Sequence, residues 1–103
     1  MPLNHIGAKN ELKTCLTNIA TPTLDGAGDF VLIYPELTTI RHVMILNYTA
    51  QTANHVIECI VRPIVGNMVT IRVMTQEAND GATGWEVGIT GQITLLCVLV
   101  EGV

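Results

Sequence analysis

Three cysteines, three histidines and nine carboxylates are the side chains here able to attack a substrate, shuttle a proton or hold a metal, and the 103 residues contain no serine. A Ser–His–Asp hydrolase is excluded. A thiol nucleophile paired with His5, His42 or His55 would need an accessible, thiolate-stabilising setting. Cys97 instead stands inside the run LLCVLV, and Cys59 lies between Glu58 and Ile60. Both stretches read as strand core. His55 and Cys59 would be neighbours on a helix, but four residues along a strand separate them by ~13 Å, too far to share one zinc ion. The odd cysteine count and wide spacing of Cys15, Cys59 and Cys97 point to buried free thiols.

Asp25-Gly26-Ala27-Gly28-Asp29 and the stretch 77–84 lack the ligand density of a calcium loop and read as solvated turns. Gly26-Ala27-Gly28 neither follows a strand nor opens a helix, so it is not a phosphate loop. The expectation is a protein that is not an enzyme and takes no cofactor or metal.

Composition says more about partners than about chemistry. Hydrophobic residues make up 49% of the chain and charged ones 14%, against about 25% charged in an average soluble domain. Thirteen threonines and seven asparagines fill part of the deficit. So little charge suits a protomer better than a free monomer. The net charge is −4, and Lys9, Lys13, Arg41, Arg62 and Arg72 are scattered, which argues against a nucleic-acid partner. No stretch has the ~20 apolar residues of a membrane-spanning helix, and the opening MPLNHIGAKNELK lacks the basic start and apolar run of an export signal.

These side chains would have to be positioned by strands. Apolar, β-branched runs alternate with turn residues from residue 29 onward, predicting strands at 30–34, 40–48, 56–65, 68–75, 85–90 and 92–100. Pro63 places the third of these at an edge or a bulge. The fold class expected is all-β: an antiparallel, jelly-roll-like β-sandwich over 29–103, preceded by an arm over 1–28. Within that arm, Leu12, Leu16 and Ile19 at i, i+4 and i+7 suit a short amphipathic helix. An extended arm fits equally well.

Alternation along the strands divides wet from dry unevenly. WEVGIT separates cleanly, with Trp85, Val87 and Ile89 expected inward and Glu86, Gly88 and Thr90 outward. IRHVMILNY does not, since His42, Met44, Leu46 and Tyr48 oppose Val43 and Ile45, and in LLCVLV both faces are apolar. Two such strands in a one-core domain mark a packing surface against neighbours. The expected interface residues are Met44, Leu46, Tyr48, Leu96 and Val98, with Leu3 and Ile6 from the arm. The Gly-rich loop carrying Asn79 and Asp80 and ending at Trp85 is a second place to look for a contact.

The polar arm, followed by GDFVLIYPELTTIRHVMILNYTAQTA and then GNMVTIRVMTQEANDGATGWEVGITGQITLLCVLVEGV, resembles the small all-β virion proteins of tailed bacteriophages in strand order and texture over residues 29–103. The resemblance implies a non-enzymatic structural protein of the capsid decoration or cement type, located in the virion. It also implies a homo-oligomer, with a trimer favoured, that contacts the major capsid protein or another virion protein. The alternative is a tail- or fibre-associated module that binds a host surface or glycan through its loops.

Overall fold

The computed structural model describes residues 12–51, 55–77 and 84–103. Seven strands form two antiparallel sheets: β1 (Lys13–Ala20), β2 (Asp29–Ile33), β3 (Ile40–Ala50), β4 (His55–Val61), β5 (Met68–Glu77), β6 (Glu86–Val87) and β7 (Ile93–Gly102). Sheet A has the order β1-β7-β3. Sheet B has the order β2-β5-β4, with β6 also on β5. The first four strands alternate between the sheets, after which β5 inserts between β2 and β4 and β7 between β1 and β3. The result is the expected β-sandwich, wound in a jelly-roll-like manner.

The core lies between the sheets. Leu96, Val98 and Val100 of β7, with Ile93, meet Val69, Ile71 and Val73 of β5, and all seven side chains are fully buried. β5 and β7 are the central strands, which is why most of their inward positions are large or β-branched apolar residues, with Thr75 the buried polar exception on β5. Tyr34, Leu37, Ile40 and Ile57 close the core's margin.

Residues 13–20 form no helix but run extended. They are β1, paired with β7 over eight uninterrupted positions from Lys13↔Gly102 to Ala20↔Leu95. Thr14, Thr17 and Ile19 are β-branched and favour a strand once β7 offers a ladder. Leu16 in this strand and Leu12 just before it are exposed, while Ile19 packs against the core. The boundary expected at residue 28 therefore cuts through sheet A's own connection to sheet B.

β3 explains why IRHVMILNY resisted separation by period two. Its register against β7 slips at Arg41 and again at Leu46, each an extra residue opposite none on β7. A bulge turns the residues after it over to the other face. Ile40, Val43, Ile45 and Ala50 accordingly take the core side, Tyr48 shares that side by register but stays exposed, and Arg41, His42, Met44, Leu46, Asn47 and Thr49 are exposed on the other. A third slip leaves Thr94 unmatched on β7, so that Ile93 and Leu96 both point inward.

WEVGIT does not separate as expected, although Glu86 and Thr90 do face outward. Trp85, Val87 and Ile89 are exposed and Gly88 is buried. Only Glu86 and Val87 pair with β5 as a strand, and Gly88 continues alongside it, its N–H donating to the Val73 carbonyl.

Candidate functional site

Three rows of side chains cross the outer face of sheet A. Opposed residues in an antiparallel ladder share a face, so Leu16, Leu99 and Met44 form one row, since Leu99 pairs with both of the others. Asn18, Cys97 and Asn47 form the next, and Ala20, Leu95 and Thr49 the third. Leu16 is 61% exposed and Met44 57%, while Leu46, pushed out by its bulge, and Leu95 are also exposed. Charge is confined to one end of this face, where Glu101 lies opposite His42 and next to the Arg41 bulge. The middle of the sheet offers apolar area with only amide and hydroxyl groups between.

The outer face of sheet B differs. Arg72 donates from Nε to Asp29 Oδ1 at 2.8 Å and from Nη2 to Oδ2 at 3.0 Å, a two-pronged pair at directly opposed positions of β5 and β2. This hydrogen bonding holds the Asp29 carboxyl below its ordinary pKa. Glu58, Arg62, Thr70 and Gln76 are interspersed among the remaining apolar positions of this face, Val31, Ile33, Val56, Ile60, Met68, Met74 and Val87. Charge is spread over this face of sheet B, whereas on sheet A it lies at one end.

The expected interface residues divide. Met44 and Leu46 lie on the outer face of sheet A. Leu96 and Val98 do not: both have zero exposure and sit in the chain's own core, because the even-numbered members of LLCVLV face sheet B. Tyr48 lies on the inner side of β3 by register yet keeps 39% exposure. It sits opposite Leu96, and its hydroxyl donates to the carbonyl of Ile57 at 2.9 Å, tying β3 to β4 across the sandwich. Leu3, Ile6, Asn79 and Asp80 lie outside the described residues. Trp85 is exposed, as a loop contact requires. Sequence reasoning missed Leu16, Leu95 and Leu99. The odd-numbered parity of LLCVLV was the available signal for the last two, whereas Leu16 became visible only with β1.

Beside β6, the turn residues Leu24, Asp25 and Gly26 face the segment 86–90 across an open groove of about 570 Å³. Leu24 N–H donates to Thr90 Oγ1 at 2.8 Å, tying the two walls together. Asp25 Oδ1 accepts from the backbone N–H of Ala27 and of Asp29, at 2.8 and 3.0 Å. That carboxylate closes its own turn, as the Asp-Gly-Ala-Gly-Asp stretch suggested. Among the described residues no three of His, Cys, Asp and Glu come together in a way that could hold a metal ion.

The three thiols are dispersed over the sandwich. Cys97 lies on the outer face of sheet A, Cys15 opposite Val100 and Cys59 opposite Val73. Burial, with a smaller contribution from Glu58, pushes the Cys59 thiol up to about 11, so it is protonated at neutral pH. Burial also raises Cys15, aided by the nearby Glu36 carboxylate. Neither is poised to attack. No helix among the described residues is long and apolar enough to cross a membrane. No protein-family model matches the chain, and neither a curated protein nor a solved structure matches it.

Proposed function

We propose that this protein is a non-enzymatic structural subunit that assembles through the outer face of sheet A, and that its setting is a virion, as a capsid decoration or cement protein. The observation that supports this reading most is the row Leu16–Leu99–Met44, widened by Leu46 and Leu95, with charge kept to one end. Covering apolar area of this kind is worth ~25 cal/mol per Å². A protein that binds only the assembled shell stabilises it by mass action. The virion setting rests on the resemblance in strand order and texture, and the low overall charge agrees with it.

The test is co-sedimentation with shells assembled from the major capsid protein encoded in the same genome. Wild type should pellet with shells in a saturable way, and Met44→Asp, an exposed substitution, should remain folded and stay in the supernatant. Equal pelleting of both proteins, or of neither, would overturn the assignment of this face.

The groove beside Trp85 favours a second reading, a fibre-associated module that binds a host surface or glycan. Its walls combine Leu24, Val87 and Ile89 with the carboxylates Asp25 and Glu86. Trp85→Ala and Ile89→Ala would then abolish saturable binding to host cells while leaving shell binding unchanged.

A further inference from the structure

The four open edges of the two sheets are not protected alike. An exposed strand edge offers unpaired N–H and C=O groups to any passing chain, and folds usually blunt it with bulges, charges, prolines or short strands. β3 is blunted by its bulges at Arg41 and Leu46. β4 carries Glu58 and is followed directly by Arg62 and Pro63. The remaining edge of sheet B is split between the five-residue β2 and the two-residue β6. β1 has none of these devices. Its eight residues pair with β7 without a single slip, contain no proline, and carry one charge, Lys13, at the very end. Among the described residues no strand pairs with its outer edge.

We infer that β1 pairs antiparallel with β1 of a second copy of this chain, joining two A sheets into one six-stranded sheet. The inference rests on the assembly reading above and names a partner for it. A second copy fits because of where charge and leucine lie. Antiparallel pairing about a two-fold axis at Leu16 keeps the two Lys13 side chains six residues, roughly 20 Å, apart. A parallel arrangement would set them side by side. Residues whose numbers sum to 32 then face each other: Leu16 with the second Leu16, Thr14 with Asn18, and Cys15 with Thr17. Only an even sum keeps the outer faces of both copies on the same side. Of the even registers, this one brings leucine against leucine and merges the two apolar rows into Met44–Leu99–Leu16–Leu16–Leu99–Met44.

The register makes a charge test possible at two exposed positions, Thr14 and Asn18. Wild type should have a native mass by light scattering of about 22 kDa, twice the 11.1 kDa of the chain. Thr14→Lys with Asn18→Lys sets like charges opposite each other twice and should halve that mass. Thr14→Lys with Asn18→Glu sets opposite charges there and should keep it at 22 kDa. Met44→Asp lies two strands from the edge and should leave the mass unchanged even where shell binding is lost, so failure of the assembly reading is distinguishable from failure of this one. A monomeric or trimeric wild type, or a Lys/Lys variant that remains dimeric, would overturn the pairing.

Discussion

Gly88 donates its backbone N–H to the carbonyl of Val73 at 2.8 Å, and a Cβ at position 88 would fall 2.7 Å from that same oxygen and 2.9 Å from the Val73 Cβ. From the N–H side, Val73 donates to the carbonyl of Gly28 at 2.8 Å. Two glycines thus occupy both backbone bonds of one central-strand residue at the point where β2 gives way to β6. Neither could carry a side chain without moving backbone. Gly88→Ala should cost about 1–3 kcal/mol, the range for overpacking a filled core. Denaturant unfolding would check this, with Gly26→Ala as the control, since its position has open space.

The three inward-facing members of LLCVLV, Leu96, Val98 and Val100, should dominate its contribution to stability. Leu96→Ala removes a fully buried side chain and should cost about 2–5 kcal/mol. Leu95→Ala, one residue earlier on the exposed face, should stay within about 0.5–1 kcal/mol in the isolated subunit. Equal losses would mean that the alternation described for β7 is wrong.

Tyr48 depends on the Leu46 bulge to reach Ile57. Tyr48→Phe deletes that hydrogen bond and should cost about 1 kcal/mol. Deleting Leu46 restores simple alternation, turning either the residues before it or those after it to the wrong face. Its expected cost is larger than that of Leu46→Ala, because an exposed side chain is cheap to truncate and a register is not. Thermal melts of the three variants would rank them.

Acid should weaken the fold partly through Asp29. Its carboxyl has a lower pKa folded than unfolded because Arg72 hydrogen-bonds the ionised form. Stability from this pair is therefore present above the unfolded value, about 3.9, and is lost as pH falls through the lower folded value. Asp29→Asn should be less stable at pH 7 and should show a shallower fall below about pH 4. Parallel acid limbs for the two proteins would remove Asp29 from the explanation.

Cys59 should be the slowest thiol to alkylate. With its pKa at about 11, it holds roughly 200-fold less thiolate at pH 8 than an ordinary cysteine. Iodoacetamide labelling followed by peptide mass analysis should find it unmodified until the chain is unfolded. Rapid labelling in the native state would show that β4 opens.

Much of the sandwich is legible in the sequence, and the limits have physical causes. Strands 68–75 and 92–100 announce themselves because central strands are apolar on the side that meets the opposite sheet and rich in β-branched residues throughout. β1 does not. KTCLTNIA has a weak pattern of its own and becomes a strand by adding to β7. The outer-face site was half legible: Met44 and Leu46 could be named from apolar excess, but Leu96 and Val98 were assigned to the wrong side of the same strand.

The sequence by itself determined that the chain folds as antiparallel strands, because β-branched alternation and turn residues act locally, within a few positions. Only the tertiary structure decided which side of each strand faces water. A bulge such as Leu46 or Thr94 exists only against a partner strand, and one extra residue reverses every side chain beyond it. Edge protection is likewise a property of the assembled sheets: nothing in KTCLTNIA alone says that β1 would be left as a long, unbroken edge among the described residues.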